Sequence, residues 1–313
     1  MALHISVSSL KDYMTCRRLY FYKRIRKYEK AGFHLPFFVG KVVHEGMAHL
    51  FAKKKNAVEL MLKYYKAERD KIKKEHTLDE KQLADLNMQE YITKGMVTAY
   101  QRKYEKMLRD TEVLGSEVEG GLQFGDDVIF VIKMDNIFRV RKRKVLHELK
   151  TSKYITPEYM KMVQTDIQTA VYFHFHNAIW EDDPIEEIMY DVIRKPSIRR
   201  KKNESPQAFI TRLQEWYEKP DGNESVFHIE RFRKPKISSD DLVNTVLNVA
   251  NDMKRSKQKE DYYQDFDKCA SYYGDICPYY ELCHEGGETK ENLVLYQIRK
   301  AYHVNKENKG VGK

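Results

Sequence analysis

Three short apolar runs in the middle of the chain constrain its fold most strongly. From Gly115 onward, SEVEGGLQF, DVIFVIKMD and KVLHELK follow one another closely, with the alternating or continuous apolar character of strands. They predict a meander. On the N-terminal side the period is helical. Ser9 and Asp12 resemble a capping box, and Leu10, Tyr13, Met14 and Phe21 recur at helical spacing, predicting an N-terminal helix that carries Cys16. After a loop at 33–39, Gly40 precedes a helix in which His44, Met47, Ala48 and Phe51 share one face, so His44 is expected to point inward. Residues 56–110 are free of proline and carry Leu83, Leu86, Ile92, Val97 and Tyr100, which predict long helices.

Beyond the meander, Met160, Val163, Ile167, Val171 and Phe175 predict a helix over 158–179, and EEIMYDVIRK another strand. A helix at 205–217, a strand near 225–233 and a helix over 238–257 follow, with a polar tail after Glu285 that is expected to be mobile at its end. The chain is thus α/β, with a strand-rich centre between helices. It reads as one domain, with a helical N-terminal part (1–112), a core (113–196), an insertion (197–257), a cysteine-containing segment (258–285) and a tail (286–313).

The centre also carries the chemistry. Asp135 closes one predicted strand, and after a basic turn Glu148, Leu149 and Lys150 lie on the next. Side chains alternate across a strand, so Glu148 and Lys150 share a face; if the two strands form a hairpin, Asp135 approaches Glu148. Two such carboxylates suit a hard divalent cation, and a nearby ammonium can position water and stabilise developing charge. That combination is what phosphodiester hydrolysis requires. An acid two positions before a lysine is ordinarily an exposed ion pair worth little. Here the surrounding Leu146 and Leu149 place it in an apolar strand.

With 56 Lys and Arg against 47 Asp and Glu, the formal charge is +9, which favours polyanionic partners, nucleic acid above all. Basic runs at 139–144 and 199–202 could contact a nucleic-acid backbone, or serve equally as a solvated turn and loop. No segment approaches the roughly 20 apolar residues of a membrane span, and four cysteines are too few for a secreted disulfide scaffold, so a soluble cytoplasmic protein is expected. No Gly-x-x-x-x-Gly-Lys loop is present, so any helicase would be a separate partner.

Taken together, these residues resemble the RecB-like branch of the PD-(D/E)XK nucleases. His44 in GKVVHEGM, Asp135 in KMDNIF, Glu148 and Lys150 in HELKTSK, and Gln168 and Tyr172 in QTAVYF match that branch's motifs in order. The resemblance spans residues 6–285 and extends to phage-encoded members through the segment beginning YDVIRKPSIRR, which would place the protein in a host cytoplasm. Met134 stands where the family name has proline. The resemblance implies a mixed central sheet flanked by helices, with an N-terminal helical arm. It implies Mg²⁺ or Mn²⁺ held by Asp135, Glu148 and the Leu149 carbonyl, with His44 near the metal. Lys150 would serve the nucleophilic water, and Gln168 and Tyr172 would support the site and contact DNA. Glu117 could assist.

Cys16 stands apart from Cys269, Cys277 and Cys283, and the four together could form a four-thiolate site for iron-sulfur or zinc. Similarity to AddB-like and CRISPR-adaptation nucleases implies a [4Fe-4S] cluster on a C-terminal iron-sulfur loop, although the gap between Cys269 and Cys277 is longer than usual there. The activity implied is metal-dependent hydrolysis of DNA, single-stranded or with free ends, by an exonuclease and/or single-strand nuclease in recombination, repair or replication. The alternative is a non-catalytic DNA-binding or recombination-accessory protein on the same fold.

Overall fold

The computed structural model describes residues 2–218, 226–270 and 276–299. The chain begins with β1 (Leu3–Ser6), α1 (Val7–Thr15), α2 (Arg17–Tyr20), a π-helical turn (Phe21–Ile25) and β2 (Tyr28–Lys30). Four helices follow: α3 (Leu35–Phe51), α4 (Ala57–Glu75), α5 (Glu80–Lys103) and α6 (Glu105–Asp110). Next come β3 (Thr111–Phe124), β4 (Val128–Val140), β5 (Arg143–Ser152), α7 (Pro157–Val163), α8 (Ile167–Ile179) and β6 (Glu187–Arg194). The remainder comprises α9 (Pro206–Glu218), β7 (Phe227–Phe232), α10 (Ser239–Lys259), α11 (Tyr280–His284), α12 (Lys290–Leu293) and β8 (Tyr296–Ile298). No helix among the described residues is long and apolar enough to cross a membrane.

The chain divides into two compact units. One takes in Met1–Val7 and Gly32–Ala250, the other Ser8–Ala31 and everything from Asn251 onward. The first unit is built on a mixed six-stranded sheet. As expected, β3, β4 and β5 form an antiparallel meander. The turn between β4 and β5 is only Arg141 and Lys142, both at positive φ (48° and 70°), as a tight hairpin needs. Most of the predicted basic turn is therefore strand. Since β3 pairs with β4 from Val128 to Val140, it occupies one edge of that strand. The other edge is shared by β1, parallel to Val128–Val131, and β5, antiparallel to Asn136–Val140. Positions 132–135 fall in the notch between them.

From β5 the chain crosses through α7 and α8 to β6, which lies parallel to β5, and β7 completes the sheet antiparallel to β6. A parallel neighbour requires such a long crossover. All eight residues of β6 are buried, as a strand covered on both faces should be. On one face α3, α4 and α5 build the main core around Val42, Met47, Phe51, Met61, Val97 and Tyr100 against Phe138, Val145 and Leu149. On the other, α7 supplies Met160 and Val163 against Tyr190 and Val192, and Phe175 of α8 packs on Phe124 and Phe130.

Gly46 marks the closest approach of α3 to its neighbours. A Cβ there would lie 2.7 Å from Met61 Sδ and 3.0 Å from Val97 Cγ2, both side chains fully enclosed. Overpacking of this kind costs about 1–3 kcal/mol, against roughly 1 kcal/mol regained from alanine's helix propensity. Gly46→Ala should therefore lower the urea midpoint; an unchanged or raised midpoint would mean that the α3–α4 seam has slack.

In the second unit, Tyr22, Tyr279, Leu282 and Tyr296 form a small core, and β2 pairs antiparallel with β8. Asp252 accepts from Tyr13 Oη at 3.0 Å and Arg17 Nε at 2.7 Å, while Asp12 accepts from Lys23 Nζ at 2.8 Å and Arg24 Nε at 2.7 Å.

Several expectations change. The N-terminal helix does not carry Cys16: α1 ends at Thr15, and Cys16 is extended (φ −165°, ψ 124°) ahead of α2. The loop at 33–39 is mostly the start of α3, because Pro36 is tolerated in a first turn that needs no N–H from it. The helix at 158–179 breaks at residues 164–166, where Asp166 caps α8 by accepting from Thr169 N–H at 3.0 Å. Part of the polar tail is ordered as α12 and β8; residues 300–313 lie outside the described residues.

Candidate metal-binding site

The notch in the sheet is where the predicted acidic pair meets. Asp135 is not at the end of a strand. It lies within β4, one residue beyond the last β4–β5 pair, Asn136 with His147, at the point where the two strands part. Freed from the ladder, its Oδ2 accepts from Leu149 N–H at 3.5 Å. Glu148 and Lys150 share a face of β5 as alternation requires, and Lys150 Nζ donates to Glu148 Oε1. Glu148 is wholly buried. Its Oε1 also accepts from Gln168 Nε2 at 2.8 Å, but its Oε2 is buried with no hydrogen-bond partner among the described residues. An ionised oxygen enclosed without a donor is costly unless a cation completes it.

α8 presents Gln168 and Tyr172 one turn apart, and Gln168 Nε2 also donates to Tyr172 Oη at 3.3 Å. His44 comes from α3, which covers the opposite face of the sheet. Its Nδ1 stands 3.9 Å from Asp135 Oδ2 and its side chain is 39% exposed. His44 faces the sheet at the edge of the buried surface, beside the fully enclosed Val43 and Met47. Asp135, Glu148, Lys150, His44, Gln168 and Tyr172 are therefore brought together. Glu117 lies across from Asp135 between the Ser116–Asn136 and Val118–Met134 pairs, close enough for its charge to act on Asp135, although its side chain is 75% exposed and pairs with Lys133 at 3.0 Å.

Burial sets the electrostatics. It pushes Glu148 up to about 7, with the charge of Asp135 adding to the rise and Lys150 opposing it. Asp135 is likewise raised by burial, against the pull of Lys150. His44 is lowered by burial, only partly offset by Glu148 and by a contact with the Leu149 carbonyl. For Lys150, burial alone would lower the pKa, but the adjoining Glu148 outweighs it and holds the ammonium charged. Two carboxylates resisting ionisation beside one held ammonium describe a site short of positive charge.

Behind β5 lies a polar cluster that the motifs did not announce. Asp191 of β6, wholly buried, accepts from Tyr100 Oη and lies 3.5 Å from His147 Nε2, while His147 Nδ1 is 3.3 Å from Asn136 Nδ2. His147 and Asn136 are the sequence neighbours of Glu148 and Asp135, so the cluster braces the strands that present the acids. The only sequence signal was an aspartate inside an apolar strand. Removing one donor from a buried carboxylate costs about 1–3 kcal/mol, so Tyr100→Phe should lower the denaturation midpoint correspondingly.

The four cysteines all lie in the second unit, as free, partly buried thiols. Asp265 N–H reaches Cys16 Sγ at 3.4 Å, Cys269 Sγ contacts the Asp265 carbonyl at 3.8 Å and His284 Nε2 at 3.4 Å, and Cys277 N–H donates to the Cys269 carbonyl at 2.8 Å. Cys283 sits on α11, its thiol pushed up to about 11 by burial and then by the charge of Cys277. Cys269 and Cys277 are raised by burial first and by Cys16. Among the described residues, no three His, Cys, Asp or Glu side chains are gathered tightly enough to hold a metal ion. The donor set nonetheless has the number and chemistry of a four-thiolate site.

A family model described as the PD-(D/E)XK nuclease superfamily matches residues 4–284. The chain belongs to the PD-(D/E)XK nuclease superfamily. The mixed sheet flanked by helices fits the fold of that superfamily, whose members are in general metal-dependent nucleases. No curated protein matches the chain. Among solved structures, the crystal structure of SSO0001 is similar at 12% identity over 60% of this chain and 84% of that one, with a TM-score of 0.28, too low to add to the assignment.

Proposed function

We propose that this PD-(D/E)XK protein is a Mg²⁺- or Mn²⁺-dependent deoxyribonuclease, acting as an exonuclease and/or single-strand nuclease in recombination, repair or replication. The observation that carries the reading is the unpartnered, buried Glu148 Oε2 beside Lys150 and across the notch from Asp135. When bound, a divalent cation supplies Lewis-acid polarisation of the scissile phosphate and a lowered water pKa. The Asp135 and Glu148 carboxylates and the Leu149 carbonyl would hold it. Lys150 Nζ orients the attacking water and stabilises charge on the phosphate. Gln168 fixes Glu148 through Oε1, Tyr172 fixes Gln168, and His44, 3.9 Å from Asp135 Oδ2, would stand near a bound cation. Residues 113–196 are then the catalytic core and 197–257 an insertion.

In the second unit, Cys16, Cys269, Cys277 and Cys283 would hold a [4Fe-4S] cluster, or zinc in its place, with a structural role. The decisive test incubates the protein with end-labelled single- and double-stranded DNA in Mg²⁺, Mn²⁺ or chelator. Cleavage should require the metal, and Lys150→Ala should reduce it by about 10²-fold or more. Full cleavage by the variant would remove Lys150 from the site.

A further inference from the structure

Beside the acidic site, the first unit holds a cavity that the proposed chemistry does not use. It has a volume of about 200 Å³ and lies where the first turns of α3, the middle of α5 and the chain leaving β6 meet. Leu35, Val39, Ile92 and Pro196 give it apolar walls, and Gln89 and Lys195 are its polar lining. Drug-sized ligands occupy pockets of about 300–1,000 Å³, so this one suits a single ring system.

Its position is informative. Strands β5 and β6 are parallel, so they end on the same side of the sheet, and Lys150 pairs with Val192, three residues before Lys195. At about 3.3 Å per residue, Lys195 stands on the order of 10 Å beyond the catalytic lysine along the strand direction. Lys195 N–H donates to the Ser152 carbonyl at 2.7 Å, which ties the cavity to the end of β5. A Cβ on Gly40 would lie 3.9 Å from Thr151 Oγ1, so α3 adjoins the same end.

Lys195 itself is anomalous. It is half-buried, its ammonium has no hydrogen-bond or ion-pair partner among the described residues, and no carboxylate lines the cavity. Burial accordingly lowers its pKa. A cation kept partly desolvated without a counter-charge costs stability and gains from meeting an acceptor on a ligand. The surroundings fit a nucleic-acid strand. Phe37 is 67% exposed and Tyr154 is 53% exposed, the first on α3 beside the cavity and the second just past β5, and both offer ring faces for stacking. Arg199 and Lys202, exposed a few residues beyond the cavity, supply charge for phosphates.

Resting on the nuclease reading above, we propose that this cavity is a base pocket that admits a guanine of the bound strand next to the scissile phosphate, with Lys195 Nζ donating to its O6 and N7 edge. A phosphate would need several converging donors, whereas mostly apolar walls with one lysine and one glutamine in the lining match a flat heterocycle with acceptors on one edge. Guanine presents two such acceptors. Adenine turns an amino group toward the ammonium.

The test measures binding of the full-length protein in chelator, by fluorescence anisotropy. The probes are labelled single strands of about twenty thymidines in which one central residue is guanosine, adenosine or an abasic site. Wild type should bind the guanine strand at least about fivefold more tightly than the other two. Lys195→Met should erase that difference while leaving affinity for the all-thymidine strand within about twofold, and its thermal midpoint should not fall, since a half-buried unpaired charge is removed. Leu35→Trp, which fills the cavity, should erase the preference as well. Equal wild-type affinity for all strands, or a guanine preference that survives both variants, overturns the proposal. Replacing chelator with Mn²⁺ separates the two readings: guanine-dependent binding without cleavage sinks the nuclease, and cleavage without guanine preference sinks the pocket.

Discussion

Glu148→Gln should abolish metal-dependent cleavage, by about 10³-fold or more in kcat, while leaving the metal-free protein folded and its stability less dependent on pH than that of wild type. Both effects come from one atom pair. The wild-type carboxylate is wholly buried, its Oε2 lacks a partner, and its pKa is pushed up to about 7. Because the folded-state pKa lies above the unfolded value near 4.5, the folded protein holds the proton more tightly. Wild-type stability without metal should therefore fall as pH rises from about 4.5 through about 7, then level off. Glutamine cannot ionise, so this component of the pH dependence should vanish. Its carboxamide still accepts from Gln168 but is a poor ligand for a hard cation. Urea titrations at pH 5, 6, 7 and 8 read the stability arm, and Mn²⁺ titrations of both proteins read the binding arm. For wild type, Mn²⁺ affinity should strengthen with pH up to about 7, since the cation displaces the proton. A pH-independent wild type would show that Glu148 is ionised throughout and that its buried oxygen has another partner.

The second large effect concerns Cys16. If the four thiols of the second unit hold a [4Fe-4S] cluster, anaerobically purified protein should be brown and carry about four iron atoms, and Cys16→Ala should lose most of both. The cluster's binding energy is then folding energy for the unit, so the variant's thermal midpoint should drop by roughly 5 °C or more. Zinc in place of iron would give a colourless protein with one metal equivalent and the same loss of stability. An unchanged midpoint and metal content in Cys16→Ala would remove Cys16 from the site. The isolated position of Cys16 makes this variant the informative one: it is extended between two helices and touches Asp265 through that residue's N–H, so little besides the shared site depends on its sulfur.

Much of the first unit was legible because its periods are clean. The alternation in DVIFVIKMD and KVLHELK fixes strand faces, and from that alone Glu148 and Lys150 must lie together. The i, i+4 spacing of Gln168 and Tyr172 puts them on one helix face in the same way. Local signals fail where tertiary contacts override them. Ser9 looked like a cap, but the helix starts at Val7 because β1 ends there, and β1 is too short to be read without the β4 edge that it pairs with. His44 shares a helical face with Met47, yet falls at the rim because the sheet beneath it is notched.

Sequence by itself determined which residues were available: the order His44, Asp135, Glu148, Lys150, Gln168, Tyr172, the strand-rich centre, and the identity of the four thiols. Tertiary structure decided where they could act. Only the division of one edge of β4 between β1 and β5 frees Asp135 to meet Glu148, and only the depth of β5 buries Glu148 Oε2 without a donor among the described residues. Strand periodicity is a property of neighbours along the chain, whereas desolvation and edge-sharing depend on partners far away in it. That physical difference separates the chemistry that could be read from the site that had to be seen.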